Sequence, residues 1–157
     1  MEHWDVVVVG AGPAGAAAAL AARRAAPATR VLLLDRADFP RDKVCGDGIA
    51  PEALDVLQRL GVDPAVLTDG FAPVPRLRMR SPGGAAVERA MHRPAHTVPR
   101  QVLDARILDA ALAAGAELRR HQVRRLSDDG RRVEIDGELT ADVVIGADGA
   151  ESVVRRA

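Results

Sequence analysis

Three glycines near the amino terminus have the spacing of a phosphate-binding turn. Gly10, Gly12 and Gly15 form the pattern G-x-G-x-x-G within the stretch VVVVGAGPAGAAAA. In such a turn the first glycine allows a tight bend out of a strand, and the second lets the backbone approach a pyrophosphate without a Cβ in the way. The third lets the following helix pack closely on the strands. This spacing favours dinucleotide binding over a plain turn without a ligand.

An acidic residue follows the glycines at a distance suited to a ribose. Asp35 closes the apolar run VLLL, 25 residues after Gly10, and its carboxylate could accept hydrogen bonds from a ribose diol. Unpaired N–H groups at the start of the intervening helix, assisted by the helix dipole, would face the phosphates. Pro13 and Ala14 within the motif are more typical of flavoproteins than of nicotinamide dehydrogenases.

The elements that position these residues follow from the distribution of apolar residues. Four consecutive valines at 6–9 predict a parallel strand that is buried on both faces. The alanine-rich segment 14–26 predicts a helix that Pro27 terminates, and residues 31–34 predict a second buried strand. Together these elements predict a βαβ unit, and therefore an α/β fold with a parallel central sheet.

The middle of the chain adds an antiparallel element to this prediction. Residues 74–80 and 85–91, joined by the turn SPGG, predict a two-stranded hairpin. A helix is predicted to start at Pro51, with Ala53, Leu54, Leu57 and Leu60 on one face. The alternating arginines of the hairpin favour a solvated strand face over a binding patch; they are Arg76, Arg78 and Arg80.

The last third of the chain returns to the pattern of an α/β sheet. Residues 101–114 predict a helix that ends at Gly115. Residues 117–126 and 131–135 predict two strands around the turn Asp129-Gly130. A further buried strand, 139–145, runs into the sequence GADG and the start of a helix with Ser152 and Arg155.

Composition excludes several classes of protein. The net charge is zero, so neither nucleic acid nor an anionic membrane surface is implied as a partner. The uncharged run 6–22 is interrupted by glycine and proline and is short for a membrane span, although peripheral membrane contact remains compatible with it. A single Cys cannot form an internal disulfide, which favours a reducing, cytoplasmic location. No metal site is predicted, because His3, His92, His96 and His121 lack ligand spacing.

Another concentration of unusual residues is DFPRDKVCGDGIAP, residues 38–51, which contains the chain's only Lys and its only Cys. Three stretches together resemble the geranylgeranyl reductase family of FAD-dependent enzymes, within the para-hydroxybenzoate hydroxylase-like flavoproteins: VVVVGAGPAGAAAA, LLLDRADFPRDKVCGDGI and ADVVIGADGAESVVRR. Residues 39–48 are the most specific part and are most similar to the menaquinone side-chain reductases of actinobacteria. Flavin-dependent halogenases share Phe-Pro-Arg, but usually continue with Gly-Glu-Ser.

The resemblance implies a Rossmann-like FAD-binding domain and roles for individual residues. Arg41 and Lys43 would supply positive charge near the pyrophosphate or a reduced flavin, and Arg100, partnered by Asp104, would reach the FAD. A backbone group at Val123 would meet the adenine, and Asp148 would bind a flavin ribose or hold a loop beside the nicotinamide. The implied FAD-binding residues are Gly10, Gly12, Pro13, Ala14, Gly15, Asp35, Arg36, Arg41, Cys45, Gly46, Asp47, Gly48, Arg100, Val123, Asp148 and Gly149.

Within the loop, Gly46 and Gly48 would let the backbone lie close to the flat flavin ring. Cys45 allows three interpretations: a small buried residue beside the flavin, a catalytic proton donor to the substrate, or a redox thiol. A lone Cys most often serves as a small apolar residue.

The resemblance also implies an activity and a longer protein. We expect FAD, reduced by NAD(P)H, to reduce C=C bonds in a prenyl chain. A flavin monooxygenase or halogenase acting on an aromatic or polyketide substrate is one alternative, and a non-catalytic FAD-binding fragment that needs a partner chain is another. Residues 1–157 would be the FAD-binding, amino-terminal part of the enzyme, and residues 72–98 an insertion that begins a substrate-side sheet.

Overall fold

The computed structural model describes residues 1–157, which divide into two compact units. The first unit comprises residues 1–41 and 104–157, and the second comprises residues 42–103. The predicted α/β fold class is confirmed, with a largely parallel sheet in the first unit and a separate antiparallel sheet in the second.

A six-stranded sheet forms the centre of the first unit. Its spatial order is β6-β2-β1-β9-β8-β7. The strands β1 (Glu2–Val9), β2 (Val31–Asp35), β6 (Glu117–Arg120) and β9 (Leu139–Gly146) run parallel, whereas β7 (Leu126–Asp128) and β8 (Val133–Ile135) extend the sheet in antiparallel fashion. β2 is buried at every residue, as expected for a central parallel strand whose two faces are both covered.

Two helices belong wholly or mainly to this unit. α1 (Pro13–Ala25) buries its small residues Gly15, Ala16 and Ala19 together with Leu20. α4 (Arg100–Ala113) buries Leu103, Ile107, Leu108 and Ala111, and Gly115 follows it with a φ of +91°. The predicted βαβ unit is therefore present, and β1 begins at Glu2, before the valine run 6–9 from which it was predicted.

The second unit contains a small antiparallel sheet and two helices. Its sheet has the order β3-β5-β4, formed by β3 (Gly48–Ile49), β5 (Ala86–Thr97) and β4 (Pro73–Arg80). The helices are α2 (Pro51–Arg59), which buries Leu54 and Leu57, and α3 (Pro64–Thr68). The predicted hairpin is present, and β5 continues well past residue 91.

Two predictions about local structure were wrong. The single strand predicted over 117–126 is split into β6 and β7, which lie at opposite edges of the sheet. The crossover segment, residues 121–125, joins them, and the carboxylate of Asp136 accepts its N–H groups in place of a partner strand. The helix predicted around Ser152 is instead a short 3₁₀ turn, Val154–Arg156.

The short helix α3 was not predicted, because five residues are too few to show a helical period. Its amino terminus has a recognisable signal, since Asp63 accepts a hydrogen bond from the N–H of Ala65 at 2.9 Å. None of the helices combines the length and the hydrophobicity needed to cross a lipid bilayer.

Candidate functional site

Two of the three motif glycines are required by the fold itself. Gly10 leaves β1 with a φ of +100°, and its N–H donates to the carbonyl of Leu34 at 2.7 Å. A Cβ at Gly10 would collide with the carbonyl oxygen of Ala147, and one at Gly15 would collide with the carbonyl oxygen of Gly10. Any side chain at these positions would therefore push β1, α1 or the end of β9 apart.

Gly12 is different, because the protein leaves room beside it. Its backbone is extended, with φ −67° and ψ −174°, and the nearest neighbour of an added Cβ would be the Arg41 guanidinium at 3.3 Å. Gly12 caps α1 without a side-chain hydrogen bond, and Pro13 has no N–H, so the first-turn amides are open to an external acceptor. This arrangement fits a pyrophosphate.

Asp35 keeps acceptor capacity beside this turn. Its Oδ2 accepts the N–H of Ala11 at 2.9 Å, and its Oδ1 accepts the N–H of Ala37 at 3.0 Å. A carboxylate offers about four acceptor positions, so two hydrogen bonds of a ribose diol remain possible although only 7% of Asp35 is exposed. The two backbone hydrogen bonds fix the direction in which the carboxylate points.

Arg41 lies across the turn in contact with two buried carboxylates. Its Nη2 is 3.6 Å from Asp35 Oδ2, and its Nη1 is 3.8 Å from Asp104 Oδ2. The guanidinium also stacks over the Phe39 ring, 4.9 Å from its centre. Asp104 is fully buried. The sequence had indicated Asp104 only as a partner of Arg100, so this ion pair with Arg41 was missed.

A cleft of about 630 Å³ lies beside the carboxyl end of β2. Val123 lies in the hydrophobic core at 9% exposure, while its neighbours in the crossover segment face the cleft. The volume falls within the range of roughly 300–1,000 Å³ that is common for small-ligand pockets. Seven residues line it: Arg36, Arg120, His121, Gln122, Arg124, Asp136 and Glu138.

In the second unit, the loop around Cys45 is held by backbone hydrogen bonds. Asp47 adopts a left-handed conformation with φ 55°, its carbonyl accepts the N–H of Val98 at 2.8 Å, and its Oδ1 accepts the N–H of Arg100 at 3.2 Å. A Cβ added to Gly46 would meet open space. The fold of this unit therefore gives no packing reason for glycine at position 46.

The Cys45 thiol is exposed, so packing against this chain does not explain it. Hydrogen bonds to the thiolate from the N–H of Asp47, and then from the Arg100 guanidinium, lower the pKa of Cys45 below its ordinary value. The sequence did not indicate the contact with Arg100, which places a positive charge next to the thiolate and favours a reactive form of the residue.

Asp148 follows β9 and closes the loop that leads to the 3₁₀ turn. Its Oδ2 accepts the N–H of Val153 at 2.6 Å, while its Oδ1 is buried without a hydrogen-bond partner. Burial raises the pKa of Asp148, but hydrogen bonds from the Ser152 side chain and the N–H of Val153 lower it more strongly. Gly149 takes the next position with φ +83°. The carboxylate thus shapes the loop and retains one unpaired oxygen.

The pairing of β1 with β9 creates one cluster that sequence spacing did not indicate. His3, Asp5 and Asp142 have potential metal-ligating atoms within 4.8 Å of one another. Each of the three already has a partner: His3 contacts Thr140 and lies 3.4 Å from Asp142, Asp5 accepts the N–H of Arg30, and Asp142 pairs with Arg132. The neighbouring arginines oppose a cation at this position.

Comparisons with known proteins agree with this geometry. A family model described as an FAD binding domain matches residues 3–157. The menaquinone reductase of Mycolicibacterium smegmatis is 48% identical over 119 residues, covering 73% of this chain and 28% of that protein. Digeranylgeranylglycerophospholipid reductase 1 of Methanopyrus kandleri is 39% identical over 166 residues, covering 98% of this chain and 42% of that protein. The chain therefore spans less than half the length of either relative.

Among solved structures, the flavin-dependent halogenase CmlS superposes with a TM-score of 0.82 at 25% identity. The superposition covers 99% of this chain and 31% of CmlS. The fold is therefore one that reductases and halogenases of the flavoprotein group share, and the names of the sequence relatives confirm the resemblance to the geranylgeranyl reductase family.

Proposed function

The chain belongs to the FAD-binding domain family, and on that premise we propose that it is the flavin-binding part of an oxidoreductase that reduces prenyl C=C bonds. The observation that carries this proposal is the combination in one unit of an open α1 amino terminus, a Gly12 that the fold does not require, and an Asp35 with spare acceptor capacity. Dinucleotide binding accounts for all three together.

In the first unit, the residues fit the ADP half of FAD. The first-turn amides that follow Gly12 would receive the pyrophosphate, and Arg41 beside them would add positive charge. Asp35 would accept the ribose hydroxyls. The cleft bounded by Arg36 and the crossover segment is the place we assign to the adenine. We propose that a backbone group at Val123, between the lining residues Gln122 and Arg124, meets the adenine edge.

The residues around Cys45 fit a position close to the flavin ring. Gly46 and Gly48 leave open space above the backbone, which suits a flat ring. The Asp47 N–H and the Arg100 guanidinium lower the pKa of Cys45 by hydrogen bonding to its thiolate, and the same donors suit an anionic reduced flavin. Asp148 and Gly149 are proposed to complete the cofactor site. Bound FAD would supply the hydride chemistry that no side chain can perform.

The substrate class rests on the named relatives. One is a menaquinone reductase and another a digeranylgeranylglycerophospholipid reductase, so we propose a hydrophobic prenyl chain as substrate and NAD(P)H as the electron donor. β4 and β5, within residues 72–98, would begin the substrate-side sheet of a longer enzyme in which this chain is the amino-terminal part. A single, exposed thiol suits a reducing cytoplasmic compartment.

A second candidate is a flavin-dependent halogenase or monooxygenase, which the superposition with CmlS favours. The sequence Cys45-Gly46-Asp47-Gly48 argues for the reductase, because halogenases usually carry Gly-Glu-Ser there. A non-catalytic FAD-binding subunit completed by another chain is the third candidate.

Anaerobic turnover of the full-length protein separates these candidates. We expect NAD(P)H oxidation to continue without O₂ when menaquinone or a geranylgeranyl lipid is added, with a product two mass units heavier per C=C bond reduced. NAD(P)H oxidation that requires O₂ would favour the oxygenase or halogenase. A protein that binds FAD and oxidises no NAD(P)H under either condition would favour the non-catalytic subunit.

A further inference from the structure

The crossover segment connects β6 to β7 and pairs with no strand of the sheet. Three of its residues line the cleft: His121, Gln122 and Arg124. Residues 121–125 lie between two strands at opposite edges of the sheet. A backbone N–H group without a partner strand needs another acceptor, because leaving it buried and unpaired would cost about as much free energy as a lost hydrogen bond. For the N–H groups of Arg124 and Arg125, one side chain from elsewhere in the sequence supplies that acceptor.

That side chain is Asp136. Its Oδ1 accepts the N–H of Arg125 at 2.8 Å and the N–H of Arg124 at 3.1 Å. Its Oδ2 lies 2.8 Å from His121 Nε2. The other end of the segment is fixed by the N–H of His121, which donates to the carbonyl of Asp35 at 2.8 Å. The segment is therefore attached to the strand that carries the ribose acid and to the turn that carries Asp136.

Asp136 occupies a tight turn for which an Asp-Gly pair is well suited. It joins β8 to β9 with φ 52°, followed by Gly137 with φ 76°. The turn accounts for Asp or Asn at this position, but it does not require the hydrogen bonds that the carboxylate accepts from the crossover segment. Burial raises the pKa of Asp136, but hydrogen bonds from His121, Arg125 and Arg124 lower it more strongly and keep the group ionised.

Both ends of this arrangement face the cleft. The cleft is lined by His121, Gln122, Arg124 and Asp136, together with Arg36, which follows β2. A shift of the segment would therefore change the wall against which an adenine would lie, without changing the residues at the far end of the cofactor.

We propose that Asp136 is a positioning residue for the adenosine half of the cofactor, acting by holding the crossover segment against the carboxyl end of β2. This inference rests on the proposed FAD function and goes beyond it, because it assigns cofactor affinity to a turn between β8 and β9 that carries no binding motif. Asp136 acts through its hydrogen bonds to the His121 side chain and to the backbone N–H groups of Arg124 and Arg125.

Asp136→Asn tests the proposal in the purified full-length protein. Asn keeps the left-handed preference but replaces one charged acceptor oxygen with an amide group. Asp129→Asn is the matched control, because Asp129 also accepts two backbone N–H groups in a turn, those of Arg131 and Arg132, and does not line the cleft. The apoprotein is titrated with FAD, and flavin fluorescence reports the Kd.

We expect Asp136→Asn to raise the Kd for FAD about tenfold, equivalent to about 1.4 kcal/mol, and Asp129→Asn to leave it within about twofold. At saturating FAD the visible spectrum of the bound flavin should be the same in all three proteins, because the ring end of the site is untouched. An unspecific folding defect would instead lower flavin content and disturb the spectrum together.

Equal Kd values for Asp136→Asn and the wild type would overturn the proposal, as would equal losses in both variants. If Asp136→Asn does not fold, His121→Phe is the second test: it keeps an aromatic ring at this position and removes the hydrogen bond to Asp136, and an unchanged Kd would overturn the proposal. A wild-type protein that binds no FAD would reject the proposed function itself, which is a different result from wild-type binding that the variants do not alter.

Discussion

Glycines 10, 12 and 15 belong to one motif but are glycine for different reasons. At Gly10 and Gly15 a Cβ would run into the protein's own backbone, whereas at Gly12 it would meet only the end of a flexible arginine. The fold therefore explains two of the three positions. For Gly12 we propose a ligand that must approach the backbone closely.

Gly12→Val tests this distinction. The branched side chain should block the pyrophosphate and crowd Arg41, so we expect flavin content to fall to about a tenth or less while the circular dichroism spectrum stays native. Gly83→Val is the control, because Gly83 lies in the hairpin turn with open space and ordinary φ. Full flavin content in Gly12→Val would show that this turn holds no phosphate.

Gly46, in the second unit, is likewise a glycine that packing within the protein does not require. A side chain there meets no protein atom within 4 Å, so Gly46→Val should fold normally. If the loop lines the flavin ring, we expect a changed visible flavin spectrum and a loss of turnover of about tenfold or more. Arg76→Ala, on an exposed strand of the same unit, should change neither. A normal spectrum and normal turnover in Gly46→Val would place the loop away from the ring.

Cys45 can be followed directly because it is the only cysteine in the chain. Its pKa is lowered by the Asp47 N–H and by Arg100, so the thiolate is present at a lower pH than in a free cysteine, whose pKa is about 8.5. The rate of iodoacetamide alkylation in the apoprotein should therefore rise through a midpoint below that of free cysteine titrated in the same buffer. Arg100→Gln should move the midpoint upward. A wild-type midpoint equal to or above that of free cysteine would contradict the contact.

Some pairings of residues could not be read from the sequence. The motif spacing predicts a phosphate-binding turn and a ribose acid at Asp35, because such roles depend on local backbone geometry. The contacts of Arg41 with Asp104, and of Arg100 with Cys45, depend on how α4 and the preceding loop are placed. They join residues 55 or more positions apart, so no local pattern reveals them.

At the scale of elements, α4 contributes a buried charge to the first unit. Asp104 is fully buried and is paired with Arg41, and removing one partner of a buried pair is costly because the other charge is left uncompensated. Arg41 keeps Asp35 nearby, which moderates the loss. The pair therefore ties α4 to the residues that follow β2.

Asp104→Asn should accordingly lower the free energy of unfolding by about 1–3 kcal/mol. The exposed Asp109 on the same helix provides the control, and Asp109→Asn should change stability by no more than about 0.5 kcal/mol. Urea unfolding of the apoproteins measures both. Equal stabilities for the two variants would mean that the contact with Arg41 contributes nothing.

The βαβ unit and the hairpin could be predicted because their apolar patterns are long and regular. The division of residues 117–126 could not, because Glu117–Arg120 and Leu126–Asp128 both look like strand, and only the Asp136 carboxylate explains the break between them. The role of Val123 shows the same limit. Val123 was predicted to lie in a strand, whereas it belongs to the unpaired crossover segment and its side chain packs in the hydrophobic core.

For the molecule as a whole, neutral charge and the family match describe a flavin-binding domain rather than a polyanion-binding protein. The chain covers 28% and 42% of the length of the two compared reductases, and the reaction we propose is that of the longer protein. The proposed activity, the role of Asp136 and the effects of the glycine substitutions therefore all depend on one claim, that the protein binds FAD.

Identification of the resident cofactor tests that claim most directly. The purified full-length protein is denatured, and the released compound is separated and quantified by absorbance and mass. We predict FAD at about one equivalent per chain, with little FMN and no stoichiometric NAD. Stoichiometric NAD without flavin, or a protein that neither contains FAD nor takes it up when the apoprotein is titrated, would contradict the account.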